Sequence, residues 1–553
     1  MVQDLDFGEL LAGIQDERAR QVILLLLNLV EERKRENQEL RAEVQRLRDE
    51  INRLKGEQGQ PATQPNRPKP AGGNHSSEQE RRQPQGWHKG SKQDRIVVDR
   101  EQTLTVDRAV LPPDAEFKGY EHQVVQDIVL HTDNVLFHRQ QYYSPQEGKS
   151  YLAPLPAGYT SQFGPGLRAL TLVLYFGGLM SEAKILDLYR SVGVQVSDGW
   201  LSDLLVHQQQ GFHTERDAVL RAGLGSSPWQ HMDDTPTRVN GHNQYCQVLC
   251  NPRYTAYRTT ASKDRLSAIM TLANWEAPRF RITEAALSYL AEVGVAQWVQ
   301  AAVAALPRDQ EWEGETFGRL LAQHLPGLGL QQRRWVEEAA AVAAYRAQTD
   351  WSVVRLLECD DAPQWKGVTA DLALCWVHEG RHYKKLVPYF AHHQQVLEAF
   401  RKQFWEYYRA LLTYREVPTA PERERLSARF DELFATVTGY AALDDRIAKT
   451  AAKKASLLRV LEHPELPLHN NPAELGARQR VRKRDVSFGP RTAAGAKAWD
   501  TFQTLAVTAQ TLGVSCYHYV YDTVTGAYQL PRLADLITER AQQLDLSASW
   551  ATP

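Results

Sequence analysis

Residues 229–260 read WQHMDDTPTRVNGHNQYCQVLCNPRYTAYRTT. Trp229 to Asp234 has the composition of a strand. Asn240-Gly241 is a strong two-residue hairpin signal, because both central residues of that turn need positive φ. Tyr245 to Leu249 reads as a second strand, Asn251-Pro252 as a turn, and Tyr254 to Thr259 as a third strand. A long helical region follows, from Lys263 to about Thr349. A fourth strand, Val353 to Cys359, ends at Asp360, and a fifth, Leu372 to Val377, comes after a short connection. From Arg381 to Glu462 the pattern is amphipathic helix, with Leu397, Phe400, Phe404 and Tyr407-Tyr408 as its apolar stripe.

Three antiparallel strands, then helix, strand, helix, strand and helices, is the order of a ribonuclease-H-like α/β domain. In that order the first and fourth strands are neighbours, so Asp233 and Asp360 are expected side by side. Two carboxylates that close repel, and a cation between them resolves the repulsion. Glu474, opening a helical stretch, completes a set of three acids from two strand ends and one helix. Such a set can hold two divalent ions about 4 Å apart for phosphodiester chemistry. Oxygen ligands suit Mg²⁺ or Mn²⁺ better than zinc. Arg478, Arg480, Arg482, Lys483 and Arg484 follow Glu474 directly, with Arg491 and Lys497 beyond, and are expected to grip a DNA backbone. Neutralising four or five phosphates predicts a log-log salt slope of about -4. Cys375 and His378 have zinc-like spacing, with Cys246 and Cys250 as conceivable partners, but buried strand thiols are the plainer reading.

Working outward, Ile23, Val30, Asn37, Val44 and Ile51 recur every seven residues. Leu26, Leu40, Leu47 and Leu54 fill the other seam position, with Arg33 the exception. This is the pattern of a parallel two-stranded coiled coil over residues 1–56, its register set by one seam asparagine. Val30, Asn37, Leu40, Val44, Leu47, Ile51 and Leu54 are the dimerisation candidates. Residues 57–93 are rich in Pro, Gly, Gln and Ser and read as a flexible linker, ending in the basic Trp87-His88-Lys89-Gly90-Ser91-Lys92. Alternation at Thr103–Val106 and His122–Val125 predicts a small β-rich domain over 94–160. Residues 161–225 turn helical. Ser181 and Ser197 cap two helices separated by Gly193, the outline of a helix-turn-helix. The catalytic domain would span 226–525, with helical insertions at about 262–350 and 381–462, and a tail over 526–553.

With 553 residues the chain needs roughly three or four cores. Its net charge of -2 means that any argument for nucleic acid rests on local clustering. The apolar run Val22 to Leu27 is far short of the about 20 residues that cross a bilayer, and no export signal precedes it. Five cysteines fit free thiols in a reducing cytoplasm. Cytoplasmic, DNA-associated action without a membrane is the expectation.

His231-Met232-Asp233-Asp234-Thr235, Leu357-Glu358-Cys359-Asp360-Asp361, Cys375-Trp376-Val377-His378 and Asn470-Asn471-Pro472-Ala473-Glu474 occur in that order. Together they resemble the bacterial insertion-sequence transposases of the IS66 family, over about residues 90–525. The resemblance implies a DDE transposase that binds terminal inverted repeats, then cuts and joins DNA. Asp233, Asp360 and Glu474 would be its metal-binding triad. One ion would be held by Asp233 and Asp360, a second by Asp233 and Glu474. Double-stranded DNA, a second copy of the chain and accessory proteins of the same element would be its partners. Many family members carry cysteines before the catalytic domain; Tyr143 to Gly148 has none. Two rivals remain at this stage: a nuclease that cuts without joining, and a catalytically retired, zipper-dimerised DNA-binding protein.

Overall fold

The computed structural model describes residues 13–54, 96–107, 111–112, 115–207, 209–544 and 546. The predicted linker, 57–93, therefore lies outside the described residues. Glu17–Leu54 forms one continuous helix, α1. Asp16 caps it, its carboxylate accepting the Arg18 N–H at 2.9 Å. The root of α1 is docked. Leu27 is buried against Phe390, and the Asn28 side chain donates to the Gly439 carbonyl (2.9 Å) while accepting the Ala441 N–H (3.0 Å). Glu31 pairs with His393, and the Lys34 ammonium lies over the Tyr389 ring. Leu26, Val30, Leu40, Val44, Leu47, Ile51 and Leu54 are all exposed in the single chain.

Among the described residues of 96–160, regular structure is confined to one hairpin, β1 (Gln141–Ser144) with β2 (Lys149–Leu152). The alternating stretches 103–106 and 122–125 stay exposed and form no strand. Alternation yields a strand only when one face has something to cover it. The two capped helices are present: α2 (Glu182–Ser191) and α3 (Asp198–Val206), with Ser181 and Ser197 accepting the Lys184 and Trp200 N–H groups. Gly193 makes the turn between them at φ +83°.

The central sheet carries β3 (Trp229–Val239), β4 (His242–Asn251), β5 (Tyr254–Thr260), β6 (Leu356–Cys359) and β7 (Asp371–Leu374), in the order β5-β4-β3-β6-β7. The first three strands are antiparallel, and β6 and β7 run parallel to β3. Asn240 and Gly241 take φ +51° and +77°, as their hairpin turn requires. The fifth strand is shorter than its apolar run suggests. Cys375 ends it, and Trp376–Lys384 is a helix, α4. Helices from 265 to 347 follow β5, sharing its core. The second insertion starts with α5 (Ala391–Glu416) and has its own aromatic core around Trp376, Phe404, Phe430 and Phe434.

Two helices close the sheet: α6 (Asn471–Ser487) and α7 (Ala493–Thr511). Strand β5 is an edge, and α7 satisfies its outward amides. Thr508, Thr504 and Asp500, at four-residue spacing, accept the N–H groups of Thr255 (3.2 Å), Tyr257 (3.0 Å) and Thr259 (2.7 Å). That arrangement removes the unpaired edge that would otherwise invite another strand.

Candidate active site

The pairing of β3 with β6 sets Trp229 against Leu356, Gln230 against Leu357 and His231 against Glu358. Continuing that register by two residues puts Asp233 opposite Asp360, on one face by the period-two rule. Asp233 is half-buried, and its carboxylate accepts the Asp234 N–H at 2.8 Å. Burial pushes its acid up to about 8, and the neighbouring Asp360 and Glu474 charges push the same way. Asp360 is oriented from below. Its Oδ1 accepts the Trp365 indole N–H (2.8 Å) and the Ala362 amide (3.1 Å).

The adjacent acids have other duties. Asp234 accepts from the Gln364 amide at 2.7 Å. Burial works to raise Asp361, but Lys453 (2.8 Å) and Lys366 (3.1 Å) outweigh it and hold this carboxylate below the ordinary range.

Glu474 stands in the first turn of α6. Arg381 of α4 grips it with both guanidinium arms, at 3.1 Å to Oε1 and 2.8 Å to Oε2. His378, one helical turn before Arg381, brings Nδ1 to 3.4 Å from Oε1. His378 stood out in the sequence for its spacing from Cys375, but Arg381 did not. The signal for Arg381 was its three-residue spacing from His378, which puts both on one face of a helix. Among the described residues, the side chains whose ligand atoms all lie within 4.8 Å of one another are Cys375, His378 and Glu474. Asp233 and Asp360 lie outside that tight group. Cys246, Cys250, Cys359 and Cys375 are buried free thiols.

Asn470 ties two of the acid-bearing elements, β3 and α6, to the end of β7. It is fully buried; its side-chain amide donates to the Met232 carbonyl (2.8 Å), and its side-chain oxygen meets His231 Nδ1 (3.1 Å). Its backbone N–H donates to Cys375 Sγ (3.2 Å), and its carbonyl accepts the Glu474 N–H (3.1 Å). One side chain thus fixes the strand before Asp233 and the helix start before Glu474.

The basic run divides by face. Arg478 and Arg482 are exposed, as are Arg491 and Lys497, and Arg484 is half-exposed. Arg480 and Lys483 correct the sequence expectation, since both side chains are fully buried. Arg480 pairs with Asp500 between the rings of Tyr257 and Trp499. Lys483 donates to the carbonyls of Tyr175 (2.7 Å) and Met180 (3.0 Å), and burial lowers its ammonium to about 7. As placed, neither reaches a phosphate. Among the described residues, no helix is long and apolar enough to cross a membrane.

Comparison with known proteins bears on the whole assembly. No solved structure matches the chain. An uncharacterized protein of Sinorhizobium fredii, y4jO, is 30% identical over 332 residues, which is 58% of this chain and 100% of the relative. The profile described as Transposase IS66 family matches residues 160–277 and 346–498, two segments that hold all three acids and skip the first helical insertion. The chain belongs to the IS66 transposase family.

Proposed function

We propose that this protein is a DDE-type DNA transposase with a ribonuclease-H-like catalytic domain, which binds its element's terminal inverted repeats, cuts there and joins the ends to target DNA. The observation that carries the reading is the crowding at Asp233, whose acid is held near 8 by burial first and by the Asp360 and Glu474 charges beside it. A divalent cation among these groups would return Asp233 to its ionised form. The donors fit Mg²⁺ or Mn²⁺: carboxylate oxygens from Asp233, Asp360 and Glu474, with the His378 nitrogen at the side. When bound, such ions supply a Lewis acid at the scissile phosphate and an activated water or 3′-hydroxyl.

The chain's own residues do the rest. Asp233, Asp360 and Glu474 would hold the ions, with Asp233 as the ligand common to both. Asn470 holds β3 and α6 in a fixed relation, and Trp365 holds Asp360. Arg478, Arg482, Arg484, Arg491 and Lys497 take backbone phosphates. The exposed seam of α1 joins two copies, so that both element ends are handled in one complex.

The test uses full-length protein, Mg²⁺ and a linear fragment ending in the repeats that flank its gene. Cut and joined products are expected. Asp360→Ala should lose both reactions while binding the fragment nearly as before. Joining by that variant would remove Asp360 from the site. Cutting without joining would leave a nuclease, and tight binding without chemistry a DNA-binding protein.

A further inference from the structure

Helix α6 ends in an unusual way. Its C-cap residue is Phe488, at φ +58° and ψ +6°, a left-handed conformation that usually falls to glycine or asparagine. A bulky side chain there costs about 1 kcal/mol or more. The ring is 86% exposed, so burial returns nothing for that strain. The backbone on either side is nevertheless firmly fixed. The Phe488 N–H donates to the Arg484 carbonyl at 2.7 Å, and the Asn240 N–H donates to the Pro490 carbonyl at 2.9 Å. Gly489, at φ +94°, lies so close to the β3–β4 hairpin that an added Cβ would come within 2.5 Å of the Arg238 carbonyl oxygen. The chain thus holds an aromatic ring rigidly in solvent, at a conformational cost.

What surrounds the ring indicates what it meets. Phe488 borders an open groove of about 510 Å³, lined also by Pro236, Thr237, Arg238, Asn243, Arg484 and Asp485. Arg482 and Arg491 are exposed close by in sequence. An apolar protein partner would want an apolar rim, whereas this rim is polar and carries two arginines against one carboxylate, Asp485, which lies 3.7 Å from Arg484. A flat aromatic face beside arginines suits a ligand with a π-face and a phosphate on the same unit, which is a nucleotide.

We infer that Phe488 is a base-stacking residue, which takes the face of a DNA base displaced from its neighbours while the flanking arginines hold the strand. The inference rests on the proposed DNA function and adds a binding position to it. Phe488 lies fourteen residues beyond Glu474 along α6, about 21 Å at 1.5 Å per residue. At 3.4 Å per nucleotide, that reach puts the stacked base within about six nucleotides of the bond that is cut.

The experiment places 2-aminopurine at successive positions along a repeat-ended duplex and follows its fluorescence on binding to the full-length protein. A rise confined to one position within about six nucleotides of the cleavage point is expected. Phe488→Ala should abolish it and weaken binding about tenfold, the ~1.4 kcal/mol of one base–aromatic stack. Phe488→Trp should preserve both. Phe488→Gly should melt no lower than the natural chain, since it relieves the left-handed strain, yet lose the signal as the alanine variant does. Unchanged fluorescence and affinity in Phe488→Ala, with binding still weakened by Arg482→Ala, would overturn the stacking role and leave the DNA reading standing. No binding of the natural chain to any of these duplexes would overturn both.

Discussion

Asp233 shares its corner of the sheet with two other carboxylates, and the isolated chain accommodates this by protonation. Its acid moves from an ordinary 3.8 to about 8 on folding. A group raised in this way stabilises the fold fully below pH of about 4, and that contribution is lost as pH rises through about 8. In EDTA, the melting temperature should therefore fall between pH 5 and pH 8, with up to about 1.4 kcal/mol lost per pH unit. Mn²⁺ should restore more at pH 8 than at pH 5, and Asp233→Asn should flatten the profile. A pH-independent melting temperature in EDTA would show that Asp233 is not held as an acid. At this scale the sequence was informative about the acids and silent about their neighbours. Asp233 and Asp360 could be paired because strand order predicts adjacency. The lysine pairs that occupy Asp361, and the Arg381 fork on Glu474, depend on side chains far away in the chain that no local pattern connects.

At the scale of elements, α6 shows why a run of charge is an ambiguous sign. Its buried residues are Ala473, Gly476, Ala477, Arg480 and Lys483, which recur at three or four residues and so share one face. Small residues on that stripe let the helix approach the sheet. Gly476 sits where a Cβ would meet the Val248 side chain at 2.7 Å. The two cations continue the same stripe, so spacing alone could have separated them from Arg478 and Arg482. The two kinds of arginine should behave differently. Arg480→Ala strands Asp500 in the interior and should cost about 3–5 kcal/mol, read as a lower denaturation midpoint. Arg482→Ala should leave the midpoint alone and reduce the salt slope of DNA binding by about 0.9. Equal effects on stability would mean that the two faces are not distinct. The strand ends were less legible than the strands. Leu372 to Val377 is an apolar run compatible with strand or helix, and the chain divides it at Cys375.

For the whole molecule, the seam on α1 and the dock at its root use different residues. Leu27, Asn28 and Glu31 face the second insertion, while Leu40, Val44, Leu47, Ile51 and Leu54 remain exposed. A double change, Leu40→Asp with Leu47→Asp, should convert a dimer to a monomer by light scattering without lowering the melting temperature of the rest. An unaltered mass would place the dimer contact elsewhere. The heptads were readable because period is a local property. The dock was not, because Phe390, Gly439 and Tyr440 lie several hundred residues further on.

That dock gives the stem its own footing. Asn28 and Glu31 are fastened to residues near 390 and 440, so the bearing on which α1 leaves the body is set by those contacts and not by the chain that follows the helix.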